Sequence, residues 1–207
     1  HQHRRSAIRR AWSGQQEFVT DLHHALDHRQ ILLAHAPTGL GKTASALSIA
    51  IKIALEQKKK IFFLTNRHTQ HNIAIETLKQ IRSNCKVQLT VADLIGKRWM
   101  CHQTISDLFG SDFNEYCKTV VEKGECDYYE NVRQKKSLQI AAQFLIKDIE
   151  TQGALHNEEL MSITRDKRMC GYEISLALAK DATVIIADYN YVFNSHVQSS
   201  FFNKIEW

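Results

Sequence analysis

Two sets of residues in this chain could do chemistry. The first is the run Ala36-Pro37-Thr38-Gly39-Leu40-Gly41-Lys42-Thr43. Glycines at 39 and 41 let backbone N–H groups come close to phosphate oxygens where a Cβ would collide. Lys42 adds a positive charge and Thr43 offers a hydroxyl to Mg²⁺, so Pro37 to Thr43 reads as a loop for ATP with Mg²⁺. The second set is Cys101, Cys117, Cys126 and Cys170, all in one interval after the loop. Four thiolates without histidine suit either tetrahedral zinc or an iron–sulfur cluster. They lack the Cys-x2-Cys pairs of small zinc modules, so a site would be assembled from separate segments, and spacing does not choose between the metals. Cys85 stands apart and reads as a small buried apolar residue.

The elements that must position these residues follow from apolar patterning. Ile31 to Ala34 reads as a buried parallel strand leading into the loop, and apolar positions from Thr43 to Glu56 recur at helical spacing. Lys58-Lys59-Lys60 ends that helix, where cations suit the carbonyl end. Ile61 to Leu64 predicts a second strand, Ile73, Ile75, Leu78 and Ile81 a second helix, and Val87 to Val91 a third strand. Strand and helix in alternation is the parallel α/β pattern. It stops after Gly96. The stretch from 97 to 172 has helical segments such as Leu138 to Ile149, and a strand returns at Thr183 to Ala187. The cysteine segment is thus expected to be an insertion into one α/β domain.

Composition bounds the rest. At 207 residues, 43% hydrophobic and 24% charged, the chain can bury a core, and no apolar run reaches the roughly 20 residues of a membrane span. The reading is cytoplasmic, which favours metal over disulfides for the cysteines. A net charge of +5 owes most to Arg4, Arg5, Arg9 and Arg10, so it says little about nucleic acid. The histidines, among them His23, His24, His28, His35, His68 and His71, have no metal-site spacing, and none is assigned a role. The chain opens without Met and closes on Lys204-Ile205-Glu206-Trp207, and is expected to be a fragment.

Pro-Thr-Gly-x-Gly-Lys-Thr is the form that the loop takes in superfamily 2 helicases. Gly96 to Cys101, Met169-Cys170-Gly171-Tyr172-Glu173, and the run from Val184 to Phe193 further resemble the XPD-type iron–sulfur helicases, which include DinG-like, FANCJ-like and RTEL-like proteins. The resemblance implies a RecA-like domain, a P-loop NTPase sheet, interrupted by a mostly helical four-cysteine insert. Its parts would be residues 1–95, with the glutamine, phosphate-loop and Ia motifs; an iron–sulfur insert at 96–172; and a return at 173–207 that stops before the Asp-Glu-Ala-His box.

The same resemblance implies an ATP-dependent DNA helicase, usually moving 5′ to 3′, of the repair or transcription type. Cys101, Cys117, Cys126 and Cys170 would hold a [4Fe-4S] cluster. Lys42 and Thr43 would act on ATP and Mg²⁺ within a site of Pro37, Thr38, Gly39, Leu40 and Gly41, with Gln15 or Gln16 facing the adenine. Arg67, Thr69 and Lys97 would contact single-stranded DNA near a duplex junction. The location would be cytoplasmic, or nuclear in a eukaryote, with no membrane and with repair or transcription complexes as possible partners. Gly171 and Asp188 each replace a usual proline and are expected to loosen a turn. Tyr189, Tyr191 and Phe193 alternate as on a strand, which favours packing over base stacking. No Asp-Glu-Ala-His box occurs in the 207 residues, so this stretch alone is not expected to turn over ATP. The alternative is a nucleotide-binding module with a structural four-cysteine zinc site and no motor.

Overall fold

The computed structural model describes residues 13–205 apart from Ala36, Thr38, 105–109 and Lys136. The four N-terminal arginines and Thr38 therefore lie outside the described residues. The chain divides into two compact units between Ile61 and Phe62. Among the described residues no helix is long and apolar enough to cross a membrane.

In the first unit α1 (Ser13–Asp27) packs on α2 (Lys42–Gln57). Helix α2 buries Leu47, Ile51, Ile53 and Ala54, then stops at Lys58, whose φ of 53° is left-handed and whose N–H bonds back to the Ala54 carbonyl. The expected strand at Ile31 to Ala34 is not formed. Residues 30–35 are neither helix nor strand, and Ile31 and Leu33 are 94% and 93% exposed. A buried parallel strand needs neighbours to complete its hydrogen bonds. No described strand pairs with this run, so its apolar side chains stand in solvent.

Among the described residues the sheet has three strands, β1 (Ile61–Leu64), β2 (Val91–Leu94) and β5 (Val184–Ala187), in the order β1-β5-β2. Strands β2 and β5 run parallel, Val91 opposite Val184 and Leu94 opposite Ala187. The centre is thus filled by the strand that comes last, and its run Val-Ile-Ile-Ala is fully buried. β-branched side chains suit that pleated, two-sided burial. The third strand begins at Val91, not Val87, because α3 (His68–Cys85) ends in a left-handed Lys86. Pairing starts where the Thr90 carbonyl accepts the N–H groups of Thr183 and Val184. Cys85, expected to be buried, is exposed at the last position of α3.

Everything between the paired strands β2 and β5 is one excursion. It runs through a 3₁₀ turn (Lys97–Met100), α4 (Gly110–Glu122), α5 (Asp127–Glu130), a hairpin of β3 (Arg133–Gln134) with β4 (Ser137–Leu138), α6 (Ile140–Gln152), α7 (Asn157–Asp166) and α8 (Gly171–Asp181). Helix α6 starts two residues later than its apolar pattern, because Ser137 and Leu138 are taken by the hairpin.

Helix α8 buries every residue from Gly171 to Ala179, Glu173 and Ser175 included. Ile174, Leu176 and Leu178 are at most 2% exposed and join Met100, Leu94, Ile149 and Ile185 in one core. Each such side chain contributes about 1.5–3 kcal/mol of burial. A Cβ at Gly171 would sit 2.6 Å from Met161 Sδ and 3.3 Å from the Met100 carbonyl oxygen. The glycine therefore permits close packing and does not soften a turn. Asp188 is likewise tied: its Oδ1 accepts the Asn190 N–H at 2.8 Å.

Two helices follow β5, α9 (Asn190–Phe193) and α10 (Ser195–Lys204), the latter capped by the Asn194 side chain, which accepts from the N–H groups of His196 and Val197. The aromatics expected to alternate on a strand lie on this first helical turn. Tyr191 is buried with its hydroxyl donating to the Ile95 carbonyl at 2.8 Å, while Tyr189 and Phe193 face solvent.

Candidate functional site

Gly39, Leu40 and Gly41 form the turn that opens α2. Gly39 and Gly41 have φ of 87° and 77°, values that cost a side-chain-bearing residue strain, and Gly41 is the N-cap. With glycine there, no side chain competes for the first N–H groups of a helix sixteen residues long, which carries a partial positive charge at this end. Lys42 Nζ lies 2.7 Å from the Pro37 carbonyl oxygen, so the ammonium is drawn over its own loop, and Thr43 is half-buried on the first turn. Leu40 is half-buried too. Of the two candidate glutamines the structure brings Gln15 to the loop: its Nε2 donates to Ser45 Oγ at 3.3 Å and stands 3.2 Å from where a Gly41 Cβ would be. Gln16 is exposed.

The four cysteines reach one cavity of about 680 Å³ from four different elements. Cys101 ends the 3₁₀ turn, Cys117 rides on α4, and Cys126 and Cys170 are the N-caps of α5 and α8. N–H groups point at three of the sulfurs. The Gln103 backbone N–H bonds to Cys101, the Gln103 side-chain amide lies 3.7 Å from Cys126 Sγ, and the Glu173 backbone N–H bonds to Cys170. Burial pushes the Cys170 thiol up to about 12 and raises Cys101 as well, with the neighbouring cysteines adding to it. Against that burial, backbone N–H groups of Gln103 and Glu173 meet the two sulfurs and favour thiolate. Among the described residues no three His, Cys, Asp or Glu side chains are drawn together tightly enough to grip a single metal ion.

His102 sits on the same cavity wall, and its Nε2 lies 2.9 Å from Thr164 Oγ1. Arg133 reaches Glu173 at 2.6 Å beside Cys170.

A second cavity, about 510 Å³, lies beyond the carboxyl ends of all three strands, the place where open α/β sheets take ligands. Asn66 follows β1, Gly96 and Lys97 follow β2, and Asp188 follows β5. Lys97 lines both cavities and rides over the Tyr172 ring at 5.6 Å. Lys204 approaches the same ring at 5.4 Å. Of the three residues expected to touch DNA, Lys97 is therefore in the cleft, while Arg67 and Thr69 are exposed at the start of α3 and do not line it. His68 and His71 do. The histidines carry no metal-site spacing, and the spacing of three between His68 and His71, straight after a strand end, is the signal that the sequence offers for them.

The family model DEAD_2 matches residues 63–206. The chain belongs to the DEAD_2 family. Among curated relatives, this DEAD_2 chain is 29% identical over 149 residues to "Regulator of telomere elongation helicase 1 homolog" of Oryza sativa subsp. japonica, covering 71% of the chain and 13% of that protein. It is 26% identical over 164 residues to the homolog of the same name in Anopheles gambiae, covering 75% of the chain and 15% of that protein. The chain thus spans only a small part of these relatives' length. The comparisons agree with the superfamily 2 helicase resemblance, and the parallel sheet fits the RecA-like expectation.

Proposed function

We propose that this chain is the nucleotide-binding front part of an ATP-dependent DNA helicase of the XPD type, with a [4Fe-4S] cluster in its cysteine segment. The observation that carries the reading is the convergence of four thiols, from four separate elements, on one cavity that shares Lys97 with the cleft at the strand ends. Sulfurs spread around a cavity of this size suit a group of several metal atoms, and N–H donors to thiolate sulfur are the contacts that tune such groups. Cys101, Cys117, Cys126 and Cys170 would hold it. A bound cluster would supply a rigid cross-link among these segments, since metal binding and local folding are coupled.

The chain's own residues divide the work as follows. Loop amides from Gly39 to Thr43 and the α2 N-terminus hold phosphate, Lys42 swings from the Pro37 carbonyl to the phosphate oxygens, and Thr43 offers its hydroxyl to Mg²⁺. Gln15 positions the base side of the nucleotide. Lys97, with Arg67 and Thr69 nearby in sequence to the cleft residue His68, contacts the backbone of single-stranded DNA next to a junction. Water activation and closure over ATP need a Walker B acid and a second RecA-like domain, and the 207 residues contain no Asp-Glu-Ala-His box. The cellular setting would be DNA repair or transcription, with polarity 5′ to 3′.

The test is iron and acid-labile sulfide analysis of anaerobically purified intact protein, alongside ATP hydrolysis with and without single-stranded DNA. Iron with sulfide and DNA-stimulated hydrolysis are expected. Stoichiometric zinc without iron, together with no DNA stimulation, overturns the reading in favour of a nucleotide-binding module with structural zinc.

A further inference from the structure

His71 is only 5% exposed, yet its ring lines the cleft beyond the strand ends. Its Nδ1 lies 2.5 Å from Oδ1 of Asp93, a β2 residue 4% exposed. The second carboxylate oxygen, Oδ2, is buried without a hydrogen-bond partner. A carboxylate so enclosed needs a hydrogen-bond donor against it, and among the described residues the His71 ring supplies it. Asp93 therefore holds the Nδ1–H and leaves Nε2 as the nitrogen offered to a ligand, an arrangement that fixes both tautomer and ring orientation.

The surroundings define the ligand. Facing the cleft with His71 are His68 on α3, stacked on it at 6.0 Å; Lys97 on the 3₁₀ turn; Tyr172 on α8; Tyr191 on α9; and His196 and Lys204 on α10. Among the described residues the one carboxylate on this lining is Asp188, whose Oδ1 accepts the Asn190 N–H. Lys204 already faces Glu173 at 3.9 Å, so it is Lys97 and the three imidazoles that outweigh Asp188 and favour an anion. We propose that His71, backed by Asp93, is a proton-linked phosphate contact in this cleft, so that binding a nucleic-acid strand takes up a proton at its imidazole. The choice of nucleic acid as the anion rests on the helicase reading. The proton stays on the imidazole: Nδ1–H is held by Asp93, and Nε2–H donates to a phosphate oxygen, a charge-assisted bond stronger than a neutral one.

The experiment measures affinity of the intact protein for a fluorescein-labelled oligo-dT at fixed salt, from about pH 5.5 to 8.5, which brackets the ordinary histidine range. Affinity should rise as pH falls, by up to about tenfold per pH unit, the ceiling for uptake of one proton. His71→Gln should flatten that rise, while His68→Gln and His196→Gln keep it. His71→Gln leaves a buried carboxylate unpaired, so His71→Gln/Asp93→Asn is the second variant, and circular dichroism checks the fold of each. An undiminished rise in either folded His71 variant, or a rise that follows His68 or His196 instead, overturns the proposal. A flat wild-type profile with binding and DNA-stimulated hydrolysis intact sinks the proton link alone. Absence of oligonucleotide binding at every pH removes the helicase reading with it.

Discussion

The backbone N–H of Cys170 donates to the Tyr128 carbonyl at 2.8 Å, which ties the start of α8 to the short α5 that Cys126 caps. Asn131 reinforces the tie through its side-chain amide to the Arg168 carbonyl at 2.9 Å. Two of the four thiols are thus tied together by contacts between α5 and the start of α8, while Cys101 and Cys117 arrive on other elements.

Replacing any one of Cys101, Cys117, Cys126 or Cys170 by serine should lose the bound iron and loosen the segment from 97 to 172, since metal binding is coupled to folding. Cys85→Ser, at an exposed helix end, should leave iron content unchanged. Iron analysis with visible absorption reads both, and retention of iron by all four variants would remove these cysteines from the metal site.

Alkaline titration probes the core beneath Lys97. Burial first, then the charge of Glu173, raises Tyr172; burial and then Tyr172 itself raise Tyr191. A phenol raised in the folded state adds stability below its ordinary value of 10.0, and that contribution is lost as pH climbs above it. Of the six tyrosines in the chain, these two should therefore ionise only as the protein unfolds. Tyrosinate absorbance followed beside circular dichroism checks it, and Tyr191→Phe should remove one of the late-titrating groups.

Gly171→Ala should destabilise by about 1–3 kcal/mol, the usual cost of overpacking a filled core. The added methyl points at Met161 Sδ and the Met100 carbonyl. Urea unfolding of the variant measures it, with Met161→Ala in the same chain expected to recover part of the loss.

The phosphate loop has two separable requirements. Gly41→Ala meets a left-handed φ of 77° and the Gln15 amide, and should cost about 1–2 kcal/mol of loop and helix stability. Lys42→Ala disturbs no such geometry. In the intact protein it should reduce ATP hydrolysis by at least about a hundredfold, as loss of one positioned transition-state donor does. Thermal unfolding and steady-state hydrolysis separate the two.

Lys97→Ala should weaken unwinding and single-strand affinity more than ATP hydrolysis, with a shallower dependence on salt, because the contact is to phosphate. The readout is a fork-unwinding assay beside hydrolysis on the same preparation. Unwinding at the parental rate would make the lysine a packing partner of Tyr172 and nothing more.

Local pattern made much of the fold legible. The helices over 42–57 and 68–85 and the strands at 61–64 and 184–187 follow from apolar spacing and from loop glycines whose left-handed backbone the structure contains. The apolar run at Ile31 does not form the strand that its pattern predicts, because burial belongs to a partner and hydropathy carries no information on whether a partner strand is alongside. Tyr189 and Phe193 alternate like strand residues, yet the Asp188 side chain turns the backbone into a helix soon after β5. The cysteines announce themselves by type and place. His71 does not, since its meaning comes from Asp93, twenty-two residues away and reached only across the packing of α3 on the sheet.

Because β5 occupies the middle of the sheet and comes after the whole cysteine segment, β1 and β2 have no shared partner until that strand has been made. Joining β2 to β5 closes a long loop, a non-local step of the kind that slows folding. The helices of the excursion pack on that same sheet, α8 against β2, so the core around the cysteine segment is completed only when the closing strand is in place.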